Sequence, residues 1–278
     1  MSGLLQRAIT GFFFVATITL CIYLGPTTFV LLFTVITWLC LREFLGLVLS
    51  RTHRRDIIRR VLGIGMGMVP FFLATILQLQ LVSNQSSFIA IAAILFFPFI
   101  FSSFIYELYT KSNRPFSNVA FIVLAMIYIG VPFGLLTFVA FDEGQYYPNL
   151  VFALLAMNWM NDSGAYLVGS RIGKTPLFPS ISPKKTWEGS LGGMAATLLL
   201  SLGICSWFGE LRLTDWVVLS VIVVVFGSLG DLVESMLKRS VKIKDSGSLL
   251  PGHGGMLDRF DAFIFMLPFA TAYILWIR

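Results

Sequence analysis

The sequence predicts an all-α integral membrane protein, a polytopic bundle of about nine transmembrane helices with a cytoplasmic N-terminus. Three observations predict it. Of the 278 residues 57% are hydrophobic and 12% charged, against about 25% charged in an ordinary soluble domain. The apolar residues recur in stretches of about 20, the length that crosses a hydrocarbon layer about 30 Å thick. Lys and Arg gather on alternate loops. The first two exclude a soluble globular chain, and 27 Phe with 6 Trp supply far more apolar surface than a disordered chain carries.

The first span, Ala8 to Leu24, follows Arg7 and no small-residue cleavage pattern follows it, so it reads as a retained helix rather than a signal peptide. Gly25-Pro26 turns the chain into the second, Thr28 to Leu49. A basic run leads to Val61 to Val82, and the polar turn Ser83 to Ser87 leads to Phe88 to Leu108. The fifth, Asn118 to Phe141, ends at the turn Asp142 to Pro148, after which come Asn149 to Ser170, Gly189 to Phe208, Trp216 to Leu237 and Phe260 to Ile277. Each run is too long and too evenly apolar for a barrel strand, so helices are the spanning element. Residues 1–117 hold four spans, and residues 118–278 hold five together with the residues that could carry chemistry.

Counting cations orients the bundle. With the N-terminus inside, eighteen Lys and Arg fall on the cytoplasmic side and two, Arg212 and Arg278, on the other, the asymmetry that retention of cationic loops produces. The net charge of +6 is therefore mostly topology, and nucleic acid is not an expected partner. The run Arg51 to Arg60, with His53, reads as a solvated face against anionic lipid headgroups. Cys21, Cys40 and Cys205 lie in apolar runs with no C-x-x-C spacing, which supports neither a disulfide framework nor a zinc site. Inverted repeats of the transporter kind are absent from the sequence.

Acids mark where function lies. In the first half they sit in loops or near span ends, as Glu43, Asp56 and Glu107 do; after Asn149 they enter the apolar runs as Asp162, Asp231 and Glu234, with Asp258 and Asp261 at the mouth of the last span. A carboxylate within a spanning helix costs about 2.5 to 3.5 kcal/mol on insertion scales and needs a partner. Asp231, Glu234, Ser235, Lys238 and Arg239 follow three- and four-residue steps and share roughly one helical face. Asp258 and Asp261 are three apart at a helix start, where carboxylates favour the dipole. Asp231, Asp258 and Asp261 thus make an all-oxygen set of the kind hard Mg²⁺ prefers; the alternative is that the last two only cap a helix while Asp231 pairs with Lys238 or Arg239.

Lys184, Lys185, Lys238, Arg239, Lys242, Lys244 and Arg259 exceed what topology requires and are interleaved with Gly and Ser, whose backbone N–H groups can meet phosphate oxygens. Glycines around His253 would let the chain approach a phosphate closely. Snorkelling remains open for Lys184 and Lys185, a plain turn role for His253 and interfacial anchoring for Trp187. Carboxylates beside cations and Gly-rich backbone are the ingredients of phosphoryl or nucleotidyl transfer.

The stretch Ser235 to Asp261, S-M-L-K-R-S-V-K-I-K-D-S-G-S-L-L-P-G-H-G-G-M-L-D-R-F-D, resembles the signature of the phosphatidate cytidylyltransferase (CDP-diacylglycerol synthase) family. S-P-K-K-T-W-E-G at Ser182 to Gly189, D-S-G-A-Y at Asp162 to Tyr166 and G-D-L-V-E-S at Gly230 to Ser235 are similar to that family's blocks. The resemblance by motif covers about Asn149 to Ile277. It implies that CTP and phosphatidate in the bilayer give CDP-diacylglycerol and pyrophosphate, with Mg²⁺ and a second, monovalent cation such as K⁺, in a homodimer. It implies metal ligation by Asp231, Asp258 and Asp261, and phosphate handling by Lys184, Lys185, Lys238, Arg239 and Arg259. Ser235, Lys244 and His253 are further expected binding residues. A bacterial plasma (inner) membrane is the expected location. A CTP-dependent lipid-alcohol kinase and a membrane transporter using Asp162, Asp231 and Glu234 remain the alternatives.

Overall fold

A computed structural model describes residues 3–49, 54–249 and 254–278; Arg51, His53 and His253 lie outside the described residues. Where nine spans are expected, nine helical stretches stand among the described residues. They are α1 (Gly3–Leu24), α2 (Pro26–Val48), α3 (Arg54–Gln78), α4 (Gln85–Thr110), the pair α5 (Pro115–Ala125) and α6 (Val131–Ala140), α7 (Pro148–Ile172), α8 (Trp187–Trp207), α9 (Leu213–Ser240) and α10 (Leu257–Ile277). Seven of the described stretches are long and apolar enough to cross a membrane. The other two are α1, whose apolar part Ile9–Leu24 is shorter, and α7, which has 25 residues but carries Asn158, Asn161, Asp162 and Arg171.

The chain forms two compact units, one of Met1–Tyr146 with Ser246–Leu257, the other of Tyr147–Asp245 with Asp258–Arg278. In the first, α5 and α6 run on as one stretch, Pro115–Ala140, joined by a π-helical turn at Met126–Gly130. Pro132 cannot donate a backbone hydrogen bond, and a widened turn just before it absorbs the loss. The same turn carries Gly130 against α3, where a Cβ would fall on the carbonyl oxygen of Gly67. Phe29, Phe33, Phe133 and Phe141 are fully buried and pack ring against ring, with Phe29 and Phe33 centroids 4.8 Å apart.

One sequence expectation is corrected here. Arg59, read as part of a solvated basic face, is 3% exposed. Its guanidinium binds both carboxylate oxygens of Glu107, Nη2 at 3.1 Å, and Asp56 at 2.5 Å. The cause is that α3 begins at Arg54, seven residues before the hydropathy boundary, which puts Asp56 and Arg59 on adjacent turns of one face. Asn118 Nδ2 also donates to Glu107, at 3.1 Å. The turn expected at Asp142 to Pro148 is a small hairpin of β1 (Phe141–Asp142) and β2 (Gln145–Tyr146). Tyr146 Oη donates to the Ile22 carbonyl at 2.8 Å, and burial holds this phenol well above its ordinary pKa.

In the second unit α7 and α8 approach closely because glycines face each other. A Cβ on Gly189 would lie 2.9 Å from the Ala165 carbonyl oxygen and 3.2 Å from the Gly169 Cα. Between these helices a second hairpin, β3 (Pro176–Phe178) with β4 (Ser182–Thr186), pairs Pro176 with Thr186 and Phe178 with Ser182. Trp216 of α9 is fully buried, and Phe226 stacks on Phe269 of α10 with centroids 3.5 Å apart.

Candidate active site

The motif blocks of the second unit act first as carpentry. Thr186 caps α8, its hydroxyl accepting from the Gly189 N–H at 3.2 Å. The Glu188 carboxylate accepts from the Lys174 and Thr175 N–H groups, at 3.1 and 3.2 Å, and from the Thr175 hydroxyl at 2.9 Å. With both ends of the hairpin tied in this way, β4 presents Lys184 and Lys185. They line a cavity of about 460 Å³ together with Asn161, Asp162 and Tyr166 of α7, Ser190 of α8 and Asp231 of α9. The Lys185 ammonium forms an ion pair with the Asp231 carboxylate.

A smaller pocket of about 220 Å³ adjoins it, lined by seven charged residues and one alanine: Asp162, Asp231, Lys238, Asp245, Asp258, Arg259, Asp261 and Ala262. It forms because α9 and α10 touch at Gly230, where a Cβ would lie 2.9 Å from the Asp261 carbonyl oxygen. That contact sets Asp231 beside the first turns of α10. Lys238 Nζ bonds Asp258 at 2.8 Å and also pairs with Glu234, one helical turn before it. Asp261 is 8% exposed, with Oδ1 accepting from the Ala262 N–H at 2.7 Å. Asp231, Glu234 and Asp162 all bear on it electrostatically.

The structure therefore brings Asp231, Asp258, Asp261, Lys238 and Arg259 around one pocket, and Lys184 and Lys185 around its neighbour, with Asp162 and Asp231 common to both. Ser235 is drawn in through Asp231, to which its hydroxyl donates at 3.3 Å. Arg239 and Lys244 line neither pocket; Arg239 bonds the Ile243 carbonyl at 3.2 Å, and Lys244 is exposed. Sequence reasoning left Asp162 without a role and missed Glu188, whose donors, the Lys174 and Thr175 N–H groups, lie 14 and 13 residues earlier and are displayed by no local spacing. Among the described residues no three His, Cys, Asp or Glu side chains are gathered as a ready ligand set for a metal ion; Lys185 and Lys238 hold the Asp231 and Asp258 carboxylates instead. The donors themselves suit a hard cation, being carboxylate oxygens alone.

The model of the cytidylyltransferase family matches residues 5–277. Among relatives, the phosphatidate cytidylyltransferase of Staphylococcus haemolyticus strain JCSC1435 is 34% identical over 247 residues, 88% of this chain and 89% of that one. The protein of the same name from Staphylococcus aureus strain COL is 42% identical over 165 residues, 59% of this chain. That match spans 62%, under two thirds, of the S. aureus protein's length.

Proposed function

This chain belongs to the cytidylyltransferase family, and we propose that it transfers the cytidylyl group of CTP to phosphatidate, giving CDP-diacylglycerol and pyrophosphate. The observation that carries this reading is the acidic pocket of Asp162, Asp231, Asp258 and Asp261 opening beside Lys184, Lys185, Lys238 and Arg259. The names of the relatives agree with it.

The chemistry needs little acid–base help. A phosphate monoester has a second pKa of about 6 and is mostly a dianion near neutral pH, so its oxygen attacks the α-phosphorus without a strong general base. The bond from the α-phosphorus to the bridging oxygen breaks, and pyrophosphate leaves with that electron pair. The obstacle is repulsion between two anions. Lys184 and Lys185 on the hairpin, with Lys238 and Arg259 on α9 and α10, neutralise phosphate oxygens and hold the reacting groups in line. Asp231, Asp258 and Asp261 would hold Mg²⁺, which when bound supplies further charge neutralisation for the triphosphate. For that, the Lys185 and Lys238 ammonium groups turn from carboxylate to phosphate.

The lysine- and arginine-rich side of the bundle supports a cytoplasmic site, and the bacterial relatives support a plasma-membrane location. The test is incubation of the purified full chain with radiolabelled CTP, phosphatidate and Mg²⁺. CDP-diacylglycerol with equimolar pyrophosphate is the expected outcome. No nucleotide-lipid from folded protein overturns the reading, and release of CDP with a phosphorylated lipid alcohol would make the protein a CTP-dependent kinase.

A further inference from the structure

Glu43, near the C-terminal end of α2, is tied to a segment more than two hundred residues away. Its carboxylate accepts from the Ser246 hydroxyl at 3.0 Å, the Met256 N–H at 3.0 Å and the Leu257 N–H at 2.8 Å. Leu257 is the first residue of α10. The N–H groups at a helix start have no acceptor within the helix, and the positive end of its dipole favours an anion. Here that anion comes from a different helix. Ser246, Met256 and Leu257 are 5%, 8% and 0% exposed, so little water competes for these bonds.

Two glycines of the signature stretch explain themselves by the same carboxylate. A Cβ on Gly247 would lie 2.7 Å from Glu43 Oε1, and a Cβ on Gly255 would collide with Oε2 and with the Ser246 hydroxyl. Glycine at both positions makes room for Glu43, a different use from the phosphate approach expected of the glycines in this stretch. The residue after Leu257 is Asp258, and Asp261 follows one turn later.

We infer that Glu43 is a positioning residue that anchors the start of α10 and thereby fixes where Asp258 and Asp261 stand for the reaction. The inference rests on the cytidylyl-transfer reading above. Loss of a partner that orients ligand side chains costs about 10–100-fold in metal affinity or activity, and a loss of that size is the expected effect of Glu43→Gln, which replaces one accepting oxygen by an amide donor.

The experiment compares the full-length wild type with Glu43→Gln, Glu43→Asp and Gly255→Ala in lipid nanodiscs. It measures kcat, the KM for phosphatidate, the Mg²⁺ concentration giving half-maximal rate, and amide hydrogen exchange in peptides covering Met256 and Leu257. Expected for Glu43→Gln are faster exchange in those peptides, a rise of about tenfold or more in the Mg²⁺ requirement and an unchanged KM for phosphatidate, with partial recovery in Glu43→Asp. Gly255→Ala, which displaces the carboxylate while leaving it charged, is expected to share the defect and decides the matter where Glu43→Gln does not fold. Wild-type exchange and Mg²⁺ requirement in the folded variants overturn the inference. An inactive wild type would instead overturn the proposed reaction, and the exchange data alone would then decide whether Glu43 anchors α10.

Discussion

Replacing Lys238 by Met removes a charge that two acids depend on. The Lys238 side chain is 13% exposed, that of Glu234 0% and that of Asp258 6%. Among the described residues Lys238 is the cation paired with Glu234, whereas Asp258 also faces the polar pocket. Removing one partner of a buried ion pair costs about 3–5 kcal/mol, because the charge left behind has lost both water and counter-charge. At about 2–4 °C per kcal/mol for a chain of this order of size, Lys238→Met is expected to unfold about 6–20 °C below the wild type. The assay is thermal unfolding in one detergent, followed by intrinsic fluorescence and by loss of monodispersity. The double variant Lys238→Met with Glu234→Leu is expected to recover most of the loss, since an apolar pair of similar volume is often neutral or better, while remaining inactive. A Lys238→Met midpoint within about 2 °C of wild type would refute the reasoning, because the midpoint would then show no ion-pair loss of the expected size.

Three other outcomes are expected. Asp258→Ala and Asp261→Ala each abolish CDP-diacylglycerol formation while expression stays largely intact; near-normal turnover in either variant removes that carboxylate from the site. Thr186→Ala loses the α8 cap, about 1 kcal/mol, seen as a midpoint about 2–4 °C lower with slower turnover, because the hairpin bearing Lys184 and Lys185 is freed at one end. Among the described residues Arg55→Ala loses an exposed bond from Nη1 to the Thr110 carbonyl, and it stays within about 0.5 kcal/mol of wild type, with unchanged specific activity.

The spans were legible because hydrocarbon thickness imposes a length on them. Thr28 to Leu49 against the observed Pro26–Val48 is an error of one or two residues. The larger error, Val61 for a helix that starts at Arg54, came from charge: hydropathy assigns Asp56 and Arg59 to water, whereas they are buried paired with each other and, for Arg59, with the distant Glu107. The pocket acids were legible because an acid in an apolar run is costly and stands out. Glu43 did not stand out, since an acid near a span end has an unremarkable explanation, and its partners, the Ser246 hydroxyl and the Met256 and Leu257 N–H groups, lie more than two hundred residues away. The hairpin of β3 and β4 was missed for a related reason. Its strands have three and five residues and are held by Thr186 and Glu188 rather than by alternating hydrophobicity.

Asp162 and Asp231 form a party wall between two rooms, one broad and edged by Tyr166, the other cramped and almost wholly ionic. A change to either acid is felt on both sides, so in the proposed reaction their kinetic phenotypes would mix the demands of both rooms. Clean separation calls for substitutions that open onto a single room, with Lys184 on the one side and Arg259 on the other. An inhibitor that spans the wall would need an apolar body joined to a compact head that is cationic or brings its own divalent ion, because the smaller room sets five aspartates against one lysine and one arginine.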